Sequence, residues 1–251
     1  MSGHNKWSKV KHIKGAEDAK RSKLFSKLSK EISIAVKEGG ADPEGNPRLR
    51  SAIQNAKAVS MPKDNIERAV SKSDKDGDNI TEITYEGYAP HGIAIYLECM
   101  TDNQQRTVAS VRAIFNKYNG SLSKNGSLSF LFDRKGVFTI KKDKIEDIES
   151  FELEVIDAGA EDFELDDDFI TITTAMEDFG SMQKKLEKLK IEPENSGLER
   201  IPNNTEKLDA DKALKVMKVI ERFEEDDDVQ KVYHNLEIDD ELVEAYENQS
   251  N

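Results

Sequence analysis

Two hydrophobic periods divide the chain. From about residue 16 to residue 72, apolar positions recur every three or four residues. Leu24, Leu28, Ile32 and Ala35 come first, then Leu49, Ala52, Ile53, Ala56 and Val59, then Ile66, Ala69 and Val70. This spacing places each set on one face of an α-helix. The joints carry matching signals: Gly39-Gly40 as a stop, Asn46-Pro47 as an N-cap with a first-turn proline, and Met61-Pro62 as a break. A small three-helix bundle is predicted up to about residue 75. The polar stretch Ser71 to Asn79, which contains Gly77, reads as a linker.

Beyond the linker the period becomes two. Ile83 and Tyr85 alternate with Glu82, Thr84 and Glu86, and Ile93, Ile95, Leu97 and Cys99 alternate with Ala94, Tyr96, Glu98 and Met100. Two neighbouring strands follow from that pattern. A helix is expected from about Asn103 to Tyr118, stopped by Asn119-Gly120, and another strand at Leu128, Phe130 and Phe132. Residues 137 to 201 then read strand, helix, strand, strand, helix, strand, the ferredoxin-like order. A helix at Ala210 to Phe223 and a strand at Val229 to Tyr233 resemble the missing last helix and strand of the unit that began near Ile80, the alternative being an independent C-terminal piece flanking the inner unit. The fold class expected is α+β: an N-terminal three-helix bundle, then two ferredoxin-like α/β domains, the third inserted into the second. The expected boundaries are 1–75 for the bundle with its N-terminal tail, 79–135 plus 204–240 for the discontinuous domain, and 136–203 for the insert.

Charge divides the chain at the same place. Residues 1–72 hold sixteen Lys or Arg against eight Asp or Glu, a net of +8, and the remainder carries −21, so the overall −13 hides a cationic module on an anionic body. A local cluster of cations attracts polyanions whatever the total charge. The first thirty residues are the densest part, with nine cations and two acids. Lys6, Lys9, Lys11 and Lys14 are interleaved with His4, Trp7 and His12, a composition suited to rings stacking on bases beside ammonium groups on phosphates. Lys20, Arg21, Lys23, Lys27 and Lys30 continue into the first helix, the lysines roughly opposite its apolar stripe. A lysine-rich helix face alone equally suits plain solvation. The tail favours a partner, because its basic and aromatic residues have no apolar periodicity to place them in a core. The candidate nucleic-acid-binding residues are therefore Lys6, Trp7, Lys9, Lys11, His12, Lys14, Lys20, Arg21, Lys23, Lys27 and Lys30. The acidic body would turn away from phosphate and suits a basic protein surface instead.

The chemistry excluded is as informative. The chain lacks a P-loop, a dinucleotide-binding glycine fingerprint, a nucleophile elbow and an H-E-x-x-H zinc motif. Four scattered histidines assemble no catalytic site, and one cysteine, Cys99, rules out an internal disulfide framework and any cysteine-based zinc site. Cys99 sits in an apolar strand, as a buried structural thiol would. Carboxylates at Glu161 to Asp168 and Glu224 to Asp228 lack calcium-loop spacing and read as solvated turns. No catalysis, cofactor or metal is expected. Asp102 to Thr107 opens a helix with polar groups, either as a capped N-terminus or as a phosphate site. No segment has the apolar run of a signal peptide or a membrane span, and the first helix has a modest, alanine-rich apolar side, so a cytoplasmic protein with no membrane partner is expected.

Several stretches resemble one family in order and nearly end to end. They are Gly3-His4-Asn5-Lys6-Trp7, Asp18-Ala19-Lys20-Arg21, Asp42-Pro43, Asn46-Pro47-Arg48-Leu49-Arg50, Tyr85-Glu86-Gly87-Tyr88, Asp102-Asn103 with Arg106-Thr107, Ala158-Gly159-Ala160-Glu161-Asp162 and Val229 to Asn235. These are similar to the YebC/PmpR family. The resemblance implies a three-domain, non-enzymatic, cytoplasmic regulator of gene expression. Bacterial members are usually described as DNA-binding transcriptional regulators. Organellar relatives, and some bacterial ones, look like translation factors that act on the ribosome at difficult sequences such as proline runs. DNA or ribosomal RNA is thus the implied partner of the N-terminal module.

Overall fold

The computed structural model describes residues 18–76 and 79–250. It is α+β, with an N-terminal helical bundle and two four-stranded sheets, the second sheet inserted into the domain that holds the first. The chain divides into two compact units. Of the described residues, one unit takes 18–23, 79–133 and 201–250, and the other takes 24–76 and 134–200.

The bundle comprises α1 (Asp18–Gly39), α2 (Pro47–Ala58) and α3 (Lys63–Asp76). Leu28, Ile32, Ala35, Leu49, Ala52, Ala56, Ile66 and Ala69 form its core, as their spacing requires. Leu24 departs from the expected stripe and is 42% exposed. The reason lies one turn further on. Ile32, Ser33, Ile34, Ala35 and Val36 are all buried, so α1 is enclosed on every side along that stretch, whereas around Leu24 it keeps an exposed face. Gly40, at φ 84°, closes α1 in the left-handed conformation that glycine adopts without strain. Asn46 then joins two helices at once. Its Oδ1 accepts from Leu49 N at 3.0 Å as the N-cap of α2, and its Nδ2 donates to the carbonyls of Ala35 (2.7 Å) and Gly40 (2.9 Å).

The first sheet has the order β3-β1-β2-β8, from β1 (Thr81–Tyr88), β2 (Ala94–Thr101), β3 (Ser121–Leu122) and β8 (Val229–His234). β1 and β2 form an antiparallel hairpin in unbroken register from Thr81↔Thr101 to Tyr88↔Ala94. Helix α4 (Gln104–Lys117) links β2 to β3, and α7 (Ala210–Glu224) precedes β8. Ile93, Ile95, Leu97 and Cys99 meet Val111, Phe115, Val219 and Phe223 in the largest core. The other face of β2 is also covered, because Ala94 and Tyr96 pack with Leu128, Phe132 and Tyr233. The strand expected at 128–132 is a single 3-10 turn, Ser129–Leu131, and the paired strand is the two-residue β3. Leu128 and Phe132 point inward and Phe130 is 70% exposed, an alternation that mimics a strand. A further helix, α8 (Asp240–Ser250), lies beyond the expected end of the domain, and its Leu242 joins the core alongside α7.

The inserted sheet has the order β5-β6-β4-β7, from β4 (Phe132–Lys141), β5 (Ala160–Leu165), β6 (Phe169–Ala175) and β7 (Asn195–Pro202). With α5 (Ile148–Ile156) and α6 (Phe179–Lys188) this is the ferredoxin-like arrangement read from the sequence. Phe138, Ile140, Ile170 and Ile172 from the sheet pack on Phe151, Val155, Met182 and Leu186 from the helices. Within the same unit α2 rests on this domain through polar pairs. The Asn55 amide exchanges two hydrogen bonds with the Ser196 backbone, at 2.8 and 2.9 Å, and Gln183 Nε2 donates to Ser51 Oγ at 3.0 Å. All four residues are buried, so each bond satisfies groups that water no longer reaches.

Candidate nucleic-acid interface

The sequence-predicted binding residues fall into two groups. Lys6, Trp7, Lys9, Lys11, His12 and Lys14 lie outside the described residues, and Lys20 is described only as part of α1. Arg21 is exposed, and Lys23, Lys27 and Lys30 are half-buried along α1. Lys23 Nζ lies 3.1 Å from Asp227 Oδ1 and also donates to the carbonyl of Glu225. The pair is largely open to water on the Asp227 side, so it contributes little and an incoming phosphate can displace it.

The other bundle cations of the Asn46-Pro47-Arg48-Leu49-Arg50 stretch have internal duties. Arg50 donates to the carbonyls of Pro43 (3.0 Å) and Glu44 (2.7 Å) and pairs with Glu187 at 3.1 Å, its side chain only 12% exposed. Arg48 pairs with Glu38 at 2.5 Å. These contacts fix the loop between α1 and α2.

Two carboxylates that charge counting treats as surface prove to be buried organisers. Asp228 lies just before β8 and takes both nitrogens of the Arg106 fork, with Nη2 at 3.0 and 2.9 Å and Nε at 3.2 Å. The hydroxyls of Thr101 and Thr107 lie 3.2 and 2.9 Å from its Oδ2. One side chain thereby ties the end of β2, the first turn of α4 and the start of β8. Arg106 also reaches Asp102 at 2.9 Å, and its pKa is raised above the ordinary guanidinium value, first by the Asp228 hydrogen bond and then by that to Asp102. Of the two readings of the Asp102 to Thr107 stretch, capping is what the structure contains. Asn103 Oδ1 accepts from Arg106 N at 3.0 Å, and a protein carboxylate already occupies the hydroxyls and the arginine.

Glu86 is the second organiser and went unrecognised in the sequence. It is 2% exposed, and its oxygens accept from Gly126 N at 2.7 Å and Leu128 N at 2.6 Å. Those backbone donors, turned toward a side chain, cannot also supply a sheet ladder, which is why no strand forms at Leu128. Its neighbour Gly87 is required by space, since a Cβ there would stand 2.5 Å from both Phe115 Cζ and the Ser121 carbonyl. The stretch Tyr85-Glu86-Gly87-Tyr88 thus records architecture. Its only sequence signal was an acid at a β-strand position followed by glycine.

Among the described residues no group of three or more His, Cys, Asp or Glu is gathered as a metal site, and no helix is long and apolar enough to cross a membrane. A cationic bundle joined to two ferredoxin-like sheets, with its most distinctive polar motifs turned inward, defines a three-part α+β protein whose motifs serve the fold. The chain belongs to the TACO1/YebC family. Residues 5–76 match the family's N-terminal domain, and residues 80–236 match its second and third domains. A protein of Amoebophilus asiaticus described as a "Probable transcriptional regulatory protein" is 54% identical over 238 residues, covering 94% of this chain and 98% of that one. A Dehalococcoides mccartyi protein of the same description is 46% identical over 252 residues, the full length of both. The crystal structure of a conserved hypothetical protein from Aquifex aeolicus superposes with a TM-score of 0.81 at 40% identity, covering 91% of this chain and 96% of that one.

Proposed function

We propose that this chain is a non-enzymatic, cytoplasmic regulator of gene expression that binds nucleic acid through its N-terminal module, as a DNA-binding transcriptional regulator. The observation that carries the reading is the charge division, +8 over residues 1–72 against −21 over the rest. A polyanion is attracted to one end of such a chain and repelled by the other. The relatives described as probable transcriptional regulatory proteins support the regulatory role.

One observation favours a second reading, a translation factor that binds ribosomal RNA and assists synthesis through proline-rich stretches. Two polar side chains of α2 are committed internally, Arg50 to the preceding loop and Asn55 to Ser196, which reduces what the helix can offer to base edges. Binding by charge and stacking without base readout suits folded RNA as well as duplex backbone. Ultraviolet crosslinking of the full chain in cells, followed by sequencing of the recovered nucleic acid, separates the readings. DNA enriched at discrete loci supports the first, a discrete ribosomal RNA segment supports the second, and recovery of neither overturns both.

A further inference from the structure

We propose that the outer face of α5, with the groove at its first turn, is a docking surface for a basic, amphipathic segment of another protein. The inference does not depend on the nucleic-acid reading and concerns the opposite pole of charge. Residues 143–168, which form α5, β5 and their flanking turns, hold thirteen acidic residues and one lysine, a net of −12 against −13 for the whole chain. Almost the entire net charge therefore resides in about a tenth of the sequence.

A second, independent feature lies on the same element. Leu153 and Ile156 are 66% and 49% exposed, one helical turn apart, and Glu149 and Glu152 share their face by the i, i+3, i+4, i+7 rule. Acids alone would make a solvated helix, whereas acids framing exposed leucine and isoleucine make a site with an apolar centre and a charged rim. At the start of α5 a surface groove of about 560 Å³ is lined by Ile145, Ile148 and Phe169, with Asp143, Asp167 and Asp168 set against Lys141 and Lys142, so its apolar floor rather than its charge is what it adds to the face. β5 is the terminal strand of this sheet, and its Leu165 is 49% exposed. Nucleic acid and anionic lipid are repelled by such a field. The complement is a protein segment that carries lysines or arginines around an aliphatic or aromatic anchor, because charge steers the encounter and apolar burial holds it.

The test uses the full chain with a photo-crosslinking amino acid at position 153 in living cells, and at the exposed Lys184 of α6 as a control. The captured protein is then purified and titrated against the full chain at low and high salt. Expected are one discrete protein from position 153 but not from 184, contact peptides of net positive charge, and affinity weakened by added salt. Leu153→Asp, which keeps the sign of the face but removes its anchor, should weaken binding about tenfold or more, the order expected of an interface anchor. The double variant Glu149→Gln/Glu152→Gln should weaken it less and flatten the salt dependence. No product at 153, the same product at 184, a second copy of this chain, lipid or nucleic acid as the product, or full affinity in both variants would overturn the proposal.

Discussion

The two α/β domains use the same residue type for opposite ends. In the first, Asp228 and Glu86 are buried, and each oxygen is met by backbone N–H groups, hydroxyls or a guanidinium. In the inserted domain, the carboxylates of 143–168 are exposed or half-exposed, and pairs such as Glu161 with Lys135 lie at the surface. A buried acid with all its partners is a joint, whereas a surface acid is part of a field. The consequence of losing one is correspondingly different, and that difference can be measured.

The largest effect should come from Asp228→Ala. It removes the acceptor that two threonine hydroxyls and the Arg106 fork share at the meeting point of three elements. Arg106 is exposed and keeps Asp102, so the loss lies on the buried side of the site, where several hydrogen bonds worth about 1 kcal/mol each go at once. Urea unfolding of the full chain measures it. Next is Glu86→Gln, which keeps the shape but replaces one acceptor oxygen by a donor facing a backbone N–H, at a cost of about 2 kcal/mol. Protection of the Gly126 and Leu128 amides from hydrogen exchange should fall with it. Glu149→Gln/Glu152→Gln, by contrast, should leave stability within about 0.5 kcal/mol, as surface substitutions do. A loss above 2 kcal/mol there would erase the distinction between joint and field.

The smallest effect concerns pH. The carboxyls of Asp147 and Asp209 are held below the usual carboxylate range, chiefly by the Ser150 hydroxyl and by the Lys212 ammonium respectively. A depressed folded-state pKa gives stability that is present above about pH 4 and is lost as pH falls through the lowered value. Asp147→Asn and Asp209→Asn retain a capping oxygen, so they should match the parent in acid and fall slightly behind it near neutrality. Denaturant midpoints between pH 2 and pH 6 read this out.

Much of the fold was legible because it rests on periodicity. The apolar spacings of α2 and α4, the hairpin of β1 and β2 and the βαββαβ order of the insert are statements about which side of an element meets a core. The failures share another cause. Leu24 and the Leu128-Phe130-Phe132 alternation have the right local pattern but different surroundings, since the first is left 42% exposed and a buried Glu86 diverts the backbone of the second. Glu86 and Asp228 were invisible as organisers because charge counting assigns every acid to solvent. The candidate cations were legible only as a composition, and the arginines at 48 and 50, the most conspicuous in the bundle, turn out to hold a loop.

The central claim is that the cationic end of the chain supplies the nucleic-acid affinity through phosphate contacts. Its most direct test is the salt dependence of binding to duplex DNA, comparing the full chain with its Lys20→Gln/Lys23→Gln/Lys27→Gln/Lys30→Gln variant. Each neutralised phosphate contributes about −0.9 to the slope of log K against log salt, so the variant's slope should be shallower by roughly three to four if all four lysines make contacts. Its folding stability should be unchanged, since Lys23, Lys27 and Lys30 are half-exposed and surface substitutions move stability little. An unchanged slope in a folded variant would contradict the claim.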